Sequence, residues 1–341
     1  MKILLLNIFF SIYSKIILSE ILIRTKLFTK KKIYYSGYNG SFGYGDHVTF
    51  CVNIKNKIGK KGKIFCYSQL QYDTACFFYD KKNIIKSFLP LPKFLNESGI
   101  GFKYLYPSKI FNPENIKSPH NKKIGAYHLY YGTKNQIKFI KNNLKRFCVS
   151  KKLIEILEKK TITLFVKNFS LKKNANKDLN FQMRQTRNLD KIYKLINYIK
   201  RKKIKLIILG TNKDHFMKII QNKKIVDNKK VYLFKQISKN YSIADQAYLA
   251  ENSLGYVGNY SGSDAFFQIL RRKIINIDMV NWKHLKLWKN NRKCVFKYVI
   301  DKKNKAKSIL DSNKYYSNKK YIIKETSFEE LLDIVKKHFK I

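Results

Sequence analysis

Three loops in this sequence combine small, basic and acidic residues in patterns that could bind a phosphate and move a proton. One of them, residues 259–264 (NYSGSD), follows the strand-like LGYV and precedes a helix-like segment. A loop of small residues before a helix offers backbone N–H groups without helical acceptors, at the positive end of the helix dipole. We therefore predict that Ser261, Gly262, Ser263 and Asp264 bind a phosphorylated substrate. The alternative is an ordinary turn between a strand and a helix.

The second loop, residues 167–187, is basic. Lys167 directly follows a predicted strand, and Arg184 and Arg187 precede a predicted helix. Cations that converge at the end of a strand could clamp a diphosphate, so we predict that these three residues contact the substrate. A solvated basic loop is the alternative.

The third loop, residues 37–47 (GYNGSFGYGDH), contains four glycines. Glycine lets a backbone approach a ligand closely, so Gly43 and Gly45 are predicted to bind substrate. Asp46 could act as a general base that deprotonates a hydroxyl, or it could simply cap the following helix. His47 is a second, weaker candidate for the base.

Several common chemistries lack their motif here. The sequence has no GxGxxG, GxxxxGK[ST], HExxH or GxSxG motif and no DxD-like pair of carboxylates. Hydride transfer and metal-dependent nucleotide-sugar chemistry are therefore disfavoured, and we predict neither a metal nor a cofactor. The five cysteines are scattered without a CxxC pair, which argues against a zinc site or a disulfide framework and fits a reducing compartment.

The second half of the chain alternates strand-like and helix-like segments. Strands are predicted at residues 161–166, 203–209, 231–234, 254–257 and 274–277. Helices are predicted at residues 189–202, 214–220, 241–250, 264–271 and 328–340. This alternation predicts a doubly wound parallel sheet. Because open α/β sheets bind ligands at the carboxyl ends of their strands, we add Gly210 and Thr211, which end the second strand, to the predicted substrate-binding residues.

The first half begins as many nucleotide-binding domains do. It has strand-like residues 33–35, the glycine-rich loop, helix-like residues 48–59 and a strand at 63–67, whereas residues 80–131 hold all five prolines and are predicted to be irregular. The length of 341 residues suits two α/β domains. We predict four parts: an N-terminal amphipathic helix (1–32), two Rossmann-like domains (33–150 and 151–325) and a C-terminal helix (326–341).

The net charge of +49 is the most unusual property of the composition. It could reflect an anionic partner, such as nucleic acid, a membrane surface or a phosphorylated substrate. It could equally reflect the lysine-rich composition expected from an A+T-rich genome, because the lysines are spread along the chain. A nucleic-acid-binding protein should gather basic and aromatic residues on one face, so we disfavour that class.

The N-terminal segment is apolar but interrupted by polar residues. Asn7, Ser11, Lys15 and Ser19 recur at helical spacing, and the apolar runs are too short to span a bilayer. This pattern predicts an amphipathic helix that lies on a membrane or on the protein itself, and a signal peptide is the third option. The lysines at 30–32 would complement anionic lipid.

The order of these motifs resembles bacterial glycosyltransferases of the GT-B fold that build surface polysaccharides. The resemblance covers residues 161–278 and rests on Lys167, on RNLD at residues 187–190, and on Gly258 with the SGS at residues 261–263. Arginine is usual where Lys167 stands, so a bidentate phosphate contact is not expected there. The GYGDH loop at residues 43–47 is similar to the Gly-Asp loop of heptosyltransferases, in which the aspartate acts as the base.

The resemblance implies an α/β, GT-B-like fold whose two doubly wound domains face a cleft. Residues 33–150 would bind the acceptor and residues 151–325 a nucleotide-sugar donor. The implied enzyme moves a sugar to a cell-surface glycan or a lipid-linked acceptor, as in lipopolysaccharide synthesis, without a metal and with inversion. We expect it in the cytoplasm, at the inner face of the inner membrane. A nucleotide-sugar-binding protein without catalysis, a nucleic-acid-binding protein, and a fucosyltransferase- or sulfotransferase-like enzyme remain as alternatives.

Overall fold

The computed structural model describes a subset of the chain. These residues are 8, 12, 16, 19, 20, 23, 33–35, 45, 48, 51–52, 63–66, 69–86, 88, 132–168, 185–210, 215–238, 242–279, 291–300, 306–308 and 322–341. The chain divides into two compact units, Met1–His128 and Leu129–Ile341.

The first unit contains a three-stranded parallel sheet. Strands β1 (Ile33–Tyr35), β2 (Lys63–Cys66) and β3 (Ile84–Lys86) pair in that order. Helical residues between β1 and β2 include the fully buried Val48 and Cys51, as predicted, and helix α1 (Gln69–Phe78) leads to β3. Helix α1 was not predicted, because buried Gln71 and Thr74 interrupt the apolar pattern on which sequence analysis depends.

The second unit is built on a six-stranded sheet. Its strands are β4 (Thr161–Phe165), β5 (Lys205–Leu209), β6 (Val231–Leu233), β7 (Gly255–Gly258), β8 (Lys273–Met279) and β9 (Arg292–Phe296). All neighbours are parallel, in the order β6-β5-β4-β7-β8-β9. The predicted parallel α/β sheet is therefore confirmed. Strand β9 was missed because RKCVF is short and lacks a run of apolar residues.

The helices of the second unit lie largely where the sequence periodicity predicts them. They are α2 (Lys134–Leu144), α3 (Lys151–Leu157), α4 (Asp190–Arg201), α5 (His215–Asn222), α6 (Phe234–Ile237), α7 (Ile243–Asn252), α8 (Ala265–Ile269) and α9 (Phe328–Phe339). Helices α2 and α3 pack against α7 and so belong to this unit. In the described part of the chain, no helix has both the length and the hydrophobicity needed to cross a membrane.

Helices cover both faces of the large sheet, as expected for a doubly wound fold. One face packs against α4, α5 and α9 through a single apolar core that includes Leu206, Ile208 and Val257. Successive strand residues point to opposite faces, so Tyr256 lies on the other side, where its ring contacts Phe267 of α8 at a centroid distance of 5.3 Å.

A small antiparallel sheet follows the large one. Strands β10 (Tyr298–Ile300), β11 (Ala306–Ser308) and β12 (Ile322–Lys324) pair in the order β11-β10-β12. These three strands were not predicted from the sequence. Helix α9 comes directly after them and returns to the large sheet, where it contacts α4, β8 and β9.

Gly258 should be hard to replace, because it lies where β4 and β7 are closest. A Cβ atom at this position would lie 2.2 Å from the carbonyl oxygen of Phe165, which is backbone and cannot move aside. We expect Gly258→Ala to lower the free energy of unfolding by about 1–3 kcal/mol. Urea denaturation measures this, with Lys293→Ala at an exposed position of β9 as the control. Equal stability of the two variants would contradict this account.

Candidate functional site

The strand order creates a crevice between β4 and β7. From β4 the chain proceeds through β5 to β6 at one edge, and from β7 it proceeds through β8 to β9 at the other. The connections that leave β4 and β7 therefore diverge, and open α/β sheets bind ligands at such a switch point, outside the carboxyl ends of the strands. Phe165 pairs with Gly258 at these ends, so the loops that begin after them start side by side.

The side chain of Asn259 joins these two loops. Its Oδ1 accepts a hydrogen bond of 2.6 Å from the backbone N–H of Lys167, and its Nδ2 donates to Thr186 Oγ1 at 3.1 Å. The residue is fully buried, and the Tyr256 hydroxyl donates to its carbonyl oxygen at 2.8 Å. Asn259 lies in a loop that the sequence singled out, but it was not among the predicted site residues.

The basic loop returns to its own starting point. The N–H of Thr186 donates to the carbonyl oxygen of Lys167 at 3.0 Å, and Asn168 Nδ2 donates to the carbonyl oxygen of Thr186 at 2.7 Å. Lys167, which is partly exposed, and Arg187, which is exposed, are thus held at the same end of the sheet. Arg184, the third predicted cation, lies outside the described residues.

The loop of small residues folds tightly on itself. Ser261 Oγ accepts from the N–H of Ser263 at 3.1 Å, and the carbonyl oxygen of Ser261 accepts from the N–H of Asp264 at 3.2 Å. Two of the four N–H groups predicted to face a phosphate are therefore used inside the loop. Within the part of the chain described here, the N–H groups of Ser261 and Gly262 have no acceptor.

The helix after this loop is shorter than predicted. A 3-10 turn at Gly262–Asp264 precedes α8, which has five residues rather than the eight expected for 264–271. Such a short helix contributes little to a macrodipole. Any contribution of this loop to phosphate binding must come from its N–H groups and from the neighbouring cations.

Asp264 is completely buried and held by other side chains. Its carboxylate accepts from Gln268 Nε2 at 2.5 Å and from Asn276 Nδ2 at 3.1 Å, and it pairs with Arg292 Nη2 at 3.1 Å. Burial raises the pKa of Asp264, and Arg292 acts in the opposite direction. These contacts anchor the loop to β8 and β9. The predicted contact of Asp264 with substrate stays a prediction.

Two further predicted loops are described only in part. Gly210 follows β5 with a φ of 151°, a backbone conformation that favours glycine, while Thr211 lies outside the described residues. In the first unit Gly45 is helical and buried. Gly43, Asp46 and His47 lie outside the described residues, so the predicted base remains a prediction.

Three buried charged side chains and the nearly buried Glu325 form a cluster next to residues 185–188, where the basic loop ends. Lys191 Nζ contacts Asp278 Oδ1 at 2.6 Å and Glu325 Oε2 at 3.3 Å, and Lys297 Nζ contacts Glu325 Oε1 at 3.1 Å. The side chains of Lys191, Asp278 and Lys297 are at most 1% exposed. We call Lys191, Asp278, Lys297 and Glu325 the buried ion cluster; its formal charges cancel.

The pKa shifts within the buried ion cluster follow from burial and pairing. Burial raises the pKa of Asp278 and lowers that of Lys297. Burial would also raise the pKa of Glu325, but Lys297, Lys191 and two backbone N–H groups outweigh it and hold this pKa below its usual value.

The buried ion cluster forms a hydrogen bond with each of the residues from 185 to 188. Lys297 Nζ donates to the carbonyl oxygen of Gln185 at 2.5 Å, and Thr186 Oγ1 donates to Asp278 Oδ2 at 2.5 Å. Glu325 accepts from the N–H groups of Arg187 and Asn188 at 2.8 and 3.0 Å. The cluster thus fixes the segment that bears Arg187 and, through Thr186 and Asn259, the start of the Lys167 loop.

The buried ion cluster was not predicted from the sequence, although one signal of it was present. Lys191 precedes Leu195 and Ile199 by four and eight residues and so lies on the apolar face of α4. A lysine on such a face needs a buried partner. That partner, Asp278, lies one residue before the end of β8 and 87 residues later in the chain, and no local pattern links the two.

Among the described residues, no group of three or more histidine, cysteine, aspartate or glutamate side chains could hold a metal ion. The described site is built instead from cations, backbone N–H groups and a buried amide.

Comparison with solved structures finds heptosyltransferases. The chain is similar to Escherichia coli heptosyltransferase WaaC with ADP-2-deoxy-2-fluoro heptose (8% identity, TM-score 0.37, covering 77% of this chain and 92% of that chain). It is similar to the E. coli ADP-heptose lps heptosyltransferase II (10%, 0.37, covering 87% and 81%) and to WaaC with ADP (9%, 0.38, covering 91% and 99%). No family model and no curated protein matches the chain.

Replacing Lys191 should destabilise the protein, because the buried ion cluster would lose one of its two positive charges. Lys191→Met would leave two buried carboxylates with one ammonium, so we expect the free energy of unfolding to fall by about 3–5 kcal/mol. Adding Asp278→Asn should recover part of this loss, because the charges balance again. Urea denaturation of both single variants and the double variant measures the coupling; additive effects would contradict the pairing.

Proposed function

We propose that this protein is a glycosyltransferase that uses a nucleotide-sugar donor, with the donor diphosphate bound at the switch point of the large sheet. One observation supports this most directly: the bond from the Lys167 N–H to Asn259 holds a cation-bearing loop against the loop of small residues between diverging strands. Both loops were selected from the sequence for phosphate binding, and the fold brings them together.

The chemistry of the described groups suits a leaving diphosphate. Lys167, Arg187 and the N–H groups of Ser261 and Gly262 are hydrogen-bond donors at one end of the sheet, and two of them are cations. Donors fixed in advance stabilise negative charge where it develops as the bond to the leaving group breaks. Their rigidity comes from Asn259 and from the buried ion cluster, so little reorganisation is needed during the reaction.

We propose a single displacement at the anomeric carbon. The acceptor oxygen bonds to that carbon while its bond to the diphosphate oxygen breaks, and the configuration inverts. Asp46 takes the proton of the acceptor hydroxyl, and the diphosphate leaves with the electron pair of the broken bond. No step needs a metal ion. The acceptor class we propose is a cell-surface glycan or a lipid-linked saccharide.

Nucleoside diphosphates should stabilise the protein. A ligand that binds only the folded state raises Tm, so thermal shift measurements with ADP, GDP, UDP and CDP should identify at least one that does. Lys167→Ala should weaken that affinity by about 10-fold or more, because a charge-assisted contact is lost. Lys203→Ala removes an exposed lysine just before β5, at the opposite end of the sheet, and should leave affinity unchanged. No stabilisation by any of the four, or equal effects of the two substitutions, would refute the proposed site.

Asp46→Asn should separate catalysis from donor binding. We expect donor turnover, followed as release of nucleoside diphosphate in the presence of acceptor, to fall by about 100-fold or more. The affinity for the nucleoside diphosphate should stay within error of the wild type. His47→Gln tests the second candidate for the base and should retain most of the turnover if Asp46 is the base. If Asp46→Asn keeps full activity, the base is a different residue. If the wild type binds the nucleoside diphosphate but shows no turnover, the protein is instead a nucleotide-sugar-binding protein.

A further inference from the structure

A face of exposed isoleucines lies on the N-terminal helical positions. Ile8, Ile12, Ile16 and Ile23 are helical and 49%, 55%, 48% and 52% exposed. Their spacings of four, four and seven residues place them on one side of a helix. Sequence periodicity predicted an amphipathic helix here, and the structure shows that at these positions the apolar residues point to solvent.

Phe88 lies beside the same helix. Its backbone N–H donates to Glu20 Oε1 at 2.7 Å, and its ring is 75% exposed. This contact joins the segment after β3 to the helical positions that carry the isoleucines. We call Ile8, Ile12, Ile16, Ile23 and Phe88 the isoleucine face.

Exposure of this kind is concentrated in one place. Among the described residues, the large hydrophobic side chains that are more than a third exposed are the five of the isoleucine face and Ile154 on α3. Single exposed apolar residues are ordinary, but a group that continues along a helix marks a surface that is covered in use.

We propose that the isoleucine face lies in the interfacial region of an anionic lipid bilayer, with the helix parallel to the membrane. The net charge of +49 favours a negatively charged partner, and three consecutive lysines, at residues 30–32, follow the helical positions in sequence. Each basic residue near an anionic surface contributes about 1 kcal/mol of attraction. Apolar side chains that enter the boundary between headgroups and acyl chains add a hydrophobic contribution to the binding free energy, and salt does not screen this contribution.

Charge also argues against a second copy of this chain as the occupant. Burying the face in a symmetric dimer would bring together two chains that each carry a net charge of +49. Their mutual repulsion opposes such an interface, whereas a membrane of opposite charge removes it. The proposal is independent of the transferase activity, because it rests on exposed residues of the first unit and on the net charge, and not on the candidate site.

Vesicle co-sedimentation of the full chain tests the proposal. The wild type should bind vesicles of equal parts phosphatidylglycerol and phosphatidylcholine and should bind pure phosphatidylcholine much more weakly. The double variant Ile12→Gln/Ile16→Gln should bind the anionic vesicles about 10-fold less tightly or worse, because two apolar side chains no longer insert. Ile154→Gln changes an exposed isoleucine outside the face and should bind as the wild type does.

Two further measurements make the outcome unambiguous. Circular dichroism and Tm should be unchanged in the double variant, which shows that weaker binding is not unfolding. Analytical ultracentrifugation without lipid should show the wild type as a monomer. Equal vesicle binding by wild type and double variant would overturn the proposal, as would a wild-type dimer that the double variant dissociates.

Discussion

The pairing of four buried or nearly buried charges is the interaction on which the candidate site depends. Lys191 comes from α4, Asp278 from β8, Lys297 from the residue between β9 and β10, and Glu325 from the residue after β12. Each buried ion costs several kcal/mol in lost hydration unless opposite charges and hydrogen bonds replace the water. Here both replacements are made, and the hydrogen bonds go to residues 185–188. The same contacts that make burial tolerable therefore position the end of the basic loop.

The strand order places the two loops of the candidate site side by side. Because β4 and β7 are adjacent while their chains diverge, the Lys167 loop and the small-residue loop begin together, and Asn259 bonds them. Asp264 and Arg292 hold the other end of the small-residue loop to β8 and β9. Exposed donors are thus supported by a buried layer of polar contacts, an arrangement that suits the stabilisation of charge on a leaving diphosphate.

Local sequence patterns predicted much of this fold and less of the site. Helices α4, α7 and α9 lie within two residues of their predicted bounds, because long apolar periodicity records which face is buried. Strands β9 to β12 and helix α1 were missed, since they are short or carry polar residues at buried positions. Lys167, Arg187 and Ser261–Ser263 lie in the loops at the carboxyl ends of β4 and β7, and their predicted contacts with substrate stay a prediction.

The sequence by itself determined the alternation of strands and helices and the three loops whose residues could bind a phosphate or move a proton. Both depend on residues that are close together in the chain. Only the tertiary structure decided that Asp264 is buried against Arg292, that Asn259 joins two loops, and that Lys191 meets Asp278 and Glu325. These partners are separated by 28, 92, 87 and 134 residues. Contacts over such distances arise from the order of strands in the sheet, which hydrophobic periodicity does not encode.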